Sequence, residues 1–291
     1  MLRLALRLPA LALVAIWPAC GGSGGDAPPV ATPSVTISRD RAPASAPIDI
    51  TYRFEVASDA QFDRDYRVML HVVDSDEERM WDDDHDPPIP TSQWKPGQVI
   101  EYTRTIFVPV FPYIGPAGLN IGLYAPDGGR LPLQGEHVGQ RAYRVGQIEL
   151  LPQTENLFTV FRDGWHLAEV AGDNTLIEWQ WTKKDATLAF KNPMQDVTFY
   201  LDIDCPGGGY VGPQTISVSA GGQVIEQFTL QPHERALRRI SIASAQLGTE
   251  EIAEILISVD KTFIPAQIPE ANSKDPRELG VRVFHAFVEP T

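Results

Sequence analysis

Apolar and polar residues alternate with a period of two along much of this chain. The clearest example runs from Ile48 to Val56, where large apolar side chains take every second position and charged or hydroxyl side chains take the others. Successive side chains of a β-strand point to opposite faces, so this alternation predicts a strand with one buried face. The same pattern predicts further strands at Val35–Ile37, Tyr66–Val72, Ile100–Val108, Leu119–Leu123 and Tyr143–Leu150.

Short clusters of turn-forming residues separate these predicted strands. Pro87-Pro88, Pro96-Gly97 and Asp127-Gly128-Gly129 interrupt the alternation, and proline, glycine and aspartate are residues that favour turns. Six or seven short strands over residues 34–151 are typical of an immunoglobulin-like or fibronectin-like β-sandwich.

A break in composition from Leu151 to Asn156 predicts the end of this first domain. Between two later apolar runs, Ala220-Gly221-Gly222-Gln223 predicts a tight hairpin, because glycine tolerates positive φ. The later runs predict strands at Leu176–Thr182, Thr187–Lys191, Val197–Ile203, Thr215–Ser219, Val224–Leu230, Leu237–Ile242, Ile252–Val259 and Val281–Val288. Eight or nine strands over residues 157–291 favour a jelly-roll-like sandwich. The sequence therefore predicts an all-β chain of two tandem antiparallel β-sandwiches.

The first residues have the pattern of an export signal. Arg3 and Arg7 precede an apolar run from Leu8 to Trp17, which is too short to cross a bilayer. The following Trp17-Pro-Ala-Cys20-Gly-Gly22 resembles the lipoprotein box of bacterial lipoproteins, although Trp17 stands where that family usually has leucine. The resemblance implies cleavage after residue 19 and a lipid on Cys20. An ordinary signal peptide next to an unrelated cysteine is the alternative.

Residues 20–33 form a predicted tether between Cys20 and the first sandwich. Gly21–Gly25 is glycine-rich, and the segment continues with prolines up to Pro33. Gly21, rather than aspartate, follows the cysteine, and in enterobacterial lipoproteins this favours the outer membrane. The resemblance thus implies a lipid-anchored protein of the outer membrane, on a face of the envelope that the sequence does not specify.

Composition narrows the range of partners. The chain has 291 residues, 43 % of them hydrophobic, and a formal net charge of −14. Nucleic acid and anionic lipid surfaces need clustered lysine and arginine, so this charge argues against both as partners. Cys205 follows two aspartates, whose charges raise a thiol's pKa, and this favours a buried structural thiol over a reactive one.

Segments of both predicted sandwiches resemble accessory β-sandwich modules. In the first domain these are His71–Asp74, Pro90–Gly97, Gly122–Tyr124 and Arg130–Leu133; in the second they are Phe263–Pro265 and Asp275–Val281. Such modules occur in the extracytoplasmic parts of bacterial membrane glycosyltransferases and related cell-envelope proteins. The resemblance implies a role in the envelope connected with glycans. It does not imply transferase activity, because the membrane-spanning catalytic part has no counterpart in this chain.

Two patterns look catalytic, but their contexts do not fit catalysis. Gly21–Gly25 matches the G-x-S-x-G of a nucleophile elbow, yet it lies in the predicted tether instead of a strand-to-helix turn. Gly207–Gly212 matches G-x-G-x-x-G, yet Pro213 and a predicted strand follow it instead of a phosphate-binding helix. We therefore expect a protein that is not an enzyme, with an unrecognised hydrolase as the alternative.

The acidic run from Trp81 to Asp86 is a candidate metal site. Asp82, Asp83, Asp84 and Asp86 could donate oxygen ligands to Ca²⁺, a cation that prefers carboxylates. The run lacks the alternating spacing of calcium-binding loops, so a plain acidic loop is the alternative. No other cofactor is predicted.

Four aromatic residues of the second domain are candidates for sugar binding. Trp179 and Trp181 share one face of a predicted strand, while Trp165 and Tyr210 lie in predicted loops. Exposed aromatic rings can stack on the apolar faces of sugars while polar neighbours bond the hydroxyls. The alternative, which we favour for Trp179 and Trp181, is that they fill the sandwich core.

These observations lead to two functional hypotheses. The first is a non-catalytic envelope lipoprotein that binds a polysaccharide or another envelope component. The second is a scaffold lipoprotein that docks on an envelope protein, with exposed strand edges available for pairing.

Overall fold

A computed structural model describes residues 27–172, 177–205 and 212–291. It confirms the predicted all-β fold. Up to residue 151 the strands are β1 (Ala31–Ile37), β2 (Arg41–Pro43), β3 (Pro47–Val56), β4 (Arg67–Val73), β5 (Arg79–Asp82), β6 (Val99–Phe107), β7 (Gly115–Tyr124), β8 (Glu136–Gly139) and β9 (Ala142–Leu151). The later strands are β10 (Thr159–Phe161), β11 (Glu169–Val170), β12 (Glu178–Trp181), β13 (Asp185–Lys191), β14 (Val197–Asp204), β15 (Gln214–Ala220), β16 (Gln223–Leu230), β17 (Arg235–Ile242), β18 (Ile252–Val259) and β19 (Arg282–Pro290).

Strands β1 to β9 form two facing sheets. One has the order β1-β3-β6, and the other has the order β2-β9-β7-β4-β5 with β8 beside β9. The pairs are antiparallel except for the short parallel pair of β2 with β9. Alternate residues of β3, including Tyr52 and Phe54, join those of β4 and β7 in one core cluster. This arrangement matches the predicted immunoglobulin-like sandwich.

Strands β10 to β19 form the second pair of sheets. Their orders are β10-β13-β18-β15-β16 and β11-β12-β19-β14-β17. Every second residue of β14, from Val197 to Ile203, enters a core cluster shared with β13, β15 and β18. Chain segments cross repeatedly from one sheet to the other, as in the predicted jelly roll.

The period-two pattern missed the shortest strands. Strands β2, β5, β8, β10 and β11 have two to four residues each, which is too few to show an alternation. Strand β5 includes Trp81 and Asp82, so the acidic run begins inside a sheet and is not a simple loop.

The predicted glycine hairpin joins β15 to β16. Gly221 and Gly222 have φ values of 56° and 75°, in the left-handed region that favours glycine. A Cβ atom on Gly221 would lie 2.3 Å from the carbonyl oxygen of Gln246, in the helical turn Ser244–Leu247. A side chain at this position would therefore displace that turn.

Aromatic and ionic contacts join the two sandwiches. Both terminal nitrogens of Arg39 donate to Glu289, at 2.5 and 3.0 Å. The rings of Phe107 and His285 stack in parallel, with centroids 4.0 Å apart. Phe107 belongs to β6 and His285 to β19, so the outward faces of these two sheets meet at the junction.

Further hydrogen bonds hold the same junction. Arg239 donates to Asp49 and, at 2.6 Å, to the hydroxyl of Thr105. The side-chain amide of Asn156 donates to the carbonyl oxygen of Ala44 at 2.5 Å. The junction therefore covers one end of the outward face of β17, β14 and β19.

The chain enters and leaves the first sandwich at opposite ends. Val30 donates from its backbone to Pro132, close to Val56 at the end of β3. Leu151 pairs with Pro43, which lies near the beginning of β3. Ten residues of extended chain separate these ends by about 30 Å.

Within the described ranges, no helix is long and apolar enough to span a bilayer. The predicted signal and residues 20–26 of the predicted tether, Cys20 included, lie outside the described residues. The same is true of Tyr210 and most of the Gly207–Gly212 pattern. The prediction that the tether extends to Pro33 is wrong, because residues 31–33 already pair with β3 as part of β1.

Candidate functional site

The acidic run encloses a buried polar cluster in the first sandwich. Arg104 binds both oxygens of Asp83 at 2.8 Å, and the hydroxyl of Tyr52 donates to the same carboxylate at 2.8 Å. Burial, followed by the charge and hydrogen bond of Asp83, raises the pKa of Tyr52 above its usual value. The phenol therefore stays protonated and keeps donating. These bonds link β6 and β3, in one sheet, to the residue that follows β5 in the other sheet.

His85 completes this cluster. Its Nδ1 lies 2.7 Å from the carbonyl oxygen of Asp83, and its Nε2 lies 2.8 Å from the hydroxyl of Tyr102. Because the carbonyl can only accept, Nδ1 carries the proton and Nε2 accepts from Tyr102. Burial lowers the pKa of His85, so the ring is neutral.

The other carboxylates of the run do not converge with Asp83. Asp82 lies 3.6 Å from Arg79, Asp84 lies 3.7 Å from His71, and Asp86 lies 3.1 Å from Arg67. No three His, Cys, Asp or Glu side chains within residues 27–172, 177–205 and 212–291 are placed to hold a metal ion. The geometry gives no support to the predicted Ca²⁺ site, because each carboxylate already faces a different side chain.

Trp179 and Trp181 lie on the outward face of the second sandwich. Gln180 pairs with Val283, which belongs to the core, and Trp181 pairs with Arg282 on the opposite face. Both indoles are half-buried. The preferred interpretation of these two residues as core is therefore wrong: the pair shares one face, as predicted, but that face points away from the core.

A β-bulge brings further side chains to this face. On β19, His285 pairs with Asp202 and Val283 pairs with Ile203, so Phe284 is an additional residue between them. Arg282, Phe284 and His285 consequently all lie on the outward side, because a bulge re-aims the side chains around it. We call the group Trp179, Trp181, Arg235, Arg282 and Phe284 the aromatic face.

Arg282 occupies the centre of the aromatic face. Its guanidinium carbon lies 5.1 Å from the ring centre of Trp179, 5.7 Å from that of Trp181 and 5.4 Å from that of Phe284. Two of its nitrogens, Nε and Nη2, donate to the two oxygens of Asp204. The arginine is thus held by a carboxylate on one edge and by aromatic rings around it.

A second arginine borders Phe284 on the same face. The guanidinium carbon of Arg235 lies 3.7 Å from the ring centre of Phe284, and its Nε and Nη2 bind Asp202 at 2.8 and 2.6 Å. His285 also contacts Asp202, at 3.0 Å. Burial works to raise the pKa of Asp202, but the hydrogen bonds from Arg235 and His285 outweigh it and lower the pKa. This carboxylate therefore stays ionised.

The other two sugar-binding candidates do not join the aromatic face. Trp165 packs against the core of the second sandwich, and its indole N–H donates to the carbonyl oxygen of Thr187 at 2.9 Å. Its ring meets Phe161 edge-on at 4.7 Å. Tyr210 lies outside the described residues.

Arg277 closes one border of the aromatic face. It binds Asp275 and, at 2.6 Å, Glu169 on β11, whose backbone pairs with Trp179.

The ligand-binding residues predicted from the sequence did not include Arg235, Arg282, Phe284, Asp202 or Asp204. Asp202 and Asp204 do carry a signal, because charged residues at every second position of an apolar strand indicate a shared polar face.

Cys205 sits behind this face in the core. Its thiol donates to the side-chain oxygen of Gln214 at 3.1 Å. Burial, together with the charge of Asp204, raises the thiol pKa. The residue therefore has the surroundings of a structural thiol.

No protein-family model matches the chain, and neither does any curated protein. Among solved structures, the N-terminal CBM22-1–CBM22-2 tandem domain of Paenibacillus barcinonensis Xyn10C is similar over 85 % of this chain and 80 % of its own, with 8 % identity and a TM-score of 0.28. A β-glucuronidase of Bacteroides uniformis is similar over 89 % of this chain, which spans 30 % of that enzyme, with 13 % identity and a TM-score of 0.30.

The structure of CBM51-2 in complex with GlcNAc and INT domains, from Clostridium perfringens ZmpB, is similar over 62 % of this chain and 39 % of its own. Its identity is 10 % and its TM-score is 0.23. Likenesses at this level identify neither a family nor a ligand.

Proposed function

We propose that this chain is a non-catalytic, lipid-anchored envelope protein whose aromatic face binds a glycan. The observation that carries the proposal is the grouping of Trp179, Trp181 and Phe284 around Arg282 on the outward face of a sheet. A contiguous group of large, half-exposed rings is typical of a ligand-binding or interaction surface.

The chemistry of this group suits a sugar. The ring edges and faces offer apolar surface to the C–H groups of a pyranose, and the two arginines offer hydrogen-bond donors to its hydroxyls. The ion pairs with Asp202 and Asp204 hold the arginines in place, so little side-chain entropy is lost when a ligand binds.

The carboxylates on this face are poorly suited to catalysis. Asp202 and Asp204 each accept two hydrogen bonds from an arginine. The lowered pKa of Asp202 keeps it from acting as a general acid near neutral pH. This arrangement supports the proposal of a binding role without chemistry.

The path of the chain fits an anchored binding protein. The tether reaches the first sandwich beside Pro132, and the second sandwich follows from the opposite end, about 30 Å further along β3. A lipid on Cys20 would therefore leave the aromatic face well away from the bilayer. We propose the outer membrane as its location, because Gly21 follows the cysteine of a segment that resembles a lipoprotein box.

Binding to a panel of soluble polysaccharides tests the proposal. The exported chain, purified in a non-ionic detergent, is titrated with each polymer while tryptophan fluorescence is followed. We expect at least one polymer to bind. We expect Trp181→Ala and Trp179→Ala each to weaken that binding about tenfold, because an aromatic contact contributes about 0.5–1.5 kcal/mol beyond the apolar area that it buries.

Phe158→Ala is the matched control, since Phe158 is 70 % exposed and lies on the loop before β10. It removes an aromatic ring outside the aromatic face and should leave binding unchanged. A polymer that binds equally to wild type and both tryptophan variants would place the ligand elsewhere, and a panel with no binding would contradict the proposal.

An exposed apolar loop supports docking on a protein as a second candidate function. Val110 and Ile114, between β6 and β7, are 70 % and 57 % exposed. Exposed apolar clusters of this kind often mark protein interfaces. Cross-linking in the native envelope, compared between wild type and Val110→Asp, tests this candidate: loss of a specific adduct in the variant supports docking, and an identical pattern argues against it.

A further inference from the structure

The aromatic face carries no surplus positive charge. Arg235 and Arg282 are each neutralised by a bidentate aspartate, and those two aspartates are about nine-tenths buried. Arg277, at the border, is matched by Asp275 and Glu169. Three guanidiniums are thus matched by four carboxylates, so these ion-paired groups together carry no positive excess.

The same pairs leave donors that suit hydroxyl groups. Arg235 and Arg282 both use Nε and Nη2 for their aspartates. Within the described part of the chain, no acceptor is assigned to either Nη1. The two guanidiniums flank Phe284, whose ring centre lies 3.7 Å from the guanidinium carbon of Arg235 and 5.4 Å from that of Arg282. A sugar hydroxyl can accept from them without disturbing either ion pair.

A carboxylate ligand would be attracted by Arg282 but repelled by Asp204. To gain from Arg282 it must share that guanidinium with Asp204, whose two oxygens accept from its Nε and Nη2. Two carboxylates around one guanidinium repel each other, and the repulsion is strong where water is partly excluded. A uronate would gain little attraction from this site, whereas a neutral sugar avoids the conflict.

We propose that the aromatic face selects electrically neutral glycans over polyanionic ones, an inference that rests on the proposed function. The Arg235–Asp202 and Arg282–Asp204 pairs set this preference. They act as neutral hydrogen-bonding units, and the ring of Phe284 contacts both of their guanidiniums.

The test compares neutral and anionic polymers on the exported chain in detergent. Xyloglucan, galactomannan and dextran serve as neutral probes, and polygalacturonate, alginate and hyaluronate serve as anionic ones. We expect the best neutral polymer to bind about tenfold or more tightly than any anionic one, with less than about a twofold change between about 50 and 300 mM NaCl.

The outcomes separate this inference from the proposed function. Tighter, salt-sensitive binding of an anionic polymer that Trp181→Ala abolishes would overturn neutral selectivity and leave glycan binding intact. Binding to none of the six polymers would contradict glycan binding itself.

A charge variant tests the cause of the selectivity. Asp204→Asn keeps the shape and the acceptor oxygen but leaves the charge of Arg282 unbalanced. We expect the ratio of anionic to neutral binding to rise about tenfold, and this rise to shrink in high salt, because one uncompensated charge in a partly dry site attracts a carboxylate.

Asp86→Asn is the matched control, since it makes the same change in the exposed pair with Arg67. An equal ratio in the two variants would overturn the assignment of selectivity to Arg282 and Asp204. Thermal unfolding shows whether Asp204→Asn is folded; if it is not, Asp202→Asn makes the same test at Arg235.

Discussion

Each sandwich contains a buried aspartate that is bound by an arginine beside an aromatic ring, but the surroundings of the two pairs are opposite. In the first, Arg104 holds Asp83 against Tyr52; in the second, Arg282 holds Asp204 amid tryptophan and phenylalanine rings. The carboxylates are buried alike, with 10 % and 9 % of their side chains exposed. What differs is the ring: Tyr52 is fully buried in the core, whereas Trp179 and Trp181 are half-exposed on the outer surface.

An arginine–carboxylate pair therefore does not by itself indicate a ligand-binding site. Where its aromatic partner lies in the core, the pair closes the sandwich and has no surface to offer a ligand. Where the rings face outward, the same pair supports a surface that can bind one. The position of the rings therefore separates a structural cluster from a candidate site.

The largest effect is expected from Asp83→Ala. The change leaves the buried hydroxyl of Tyr52 without its acceptor and Arg104 without its counter-ion, so we expect a loss of about 3 kcal/mol in the free energy of unfolding. Urea unfolding measures it. The control is Asp86→Ala, because Asp86 is 83 % exposed and should change little. Equal stabilities of the two variants would mean that the buried cluster is not a closing element.

A pH-dependent loss of stability is expected from His85, with an intermediate effect. Burial lowers its folded pKa below the ordinary value of 6.5, so the unfolded chain binds a proton that the folded chain does not. The contribution of neutral His85 to the free energy of unfolding is fully present above about pH 6.5. It is lost as the pH falls toward the folded pKa, and the free energy of unfolding decreases by at most about 1.4 kcal/mol per pH unit.

Urea unfolding between pH 8 and pH 5.5 tests this expectation. His85→Gln keeps a donor and an acceptor but cannot titrate, so its stability should depend less on pH than that of the wild type. The matched control is His137→Gln, which makes the same change at an exposed imidazole. A slope that persists in His85→Gln would assign the pH dependence to other groups.

The smallest effect is expected from an ion pair that is exposed and has no aromatic ring beside it. Arg162 and Glu254 lie 3.2 Å apart, with about half of each side chain exposed. Water and salt screen such pairs, so Arg162→Ala should change the free energy of unfolding by less than about 0.5 kcal/mol. Urea unfolding checks this value, with Glu254→Ala as its counterpart. A loss near that of Asp83→Ala would show that burial of the partners is not what makes the first pair important.

Much of the architecture followed from local pattern. The alternation from Ile48 to Val56 identified β3 and its buried face, because period-two patterning is set by the geometry of each strand. The glycine pair at Gly221 and Gly222 identified a hairpin for an equally local reason, since few other residues adopt positive φ readily. Short strands such as β5 and β11 were not predicted, because their pairing depends on strands that are distant in sequence.

The candidate site depended on information that is not local. Sequence alone placed Trp179 and Trp181 on one face, but the choice between core and surface required knowing which side of β12 meets the other sheet. The run Val281–Val288 loses its alternation at Phe284 and His285, yet only the pairing with β14 shows that this break is a bulge.

Local sequence was sufficient to predict the strand pattern, the shared face of the two tryptophans and the acidic character of residues 82–86, because each depends on neighbouring residues alone. Only the folded chain shows which carboxylates bind arginines, which rings face outward and which face of each sheet is covered at the junction. Those outcomes depend on pairing between distant strands, as with Asp83 and Arg104 or Asp204 and Arg282, and a one-dimensional pattern does not encode which distant strands meet.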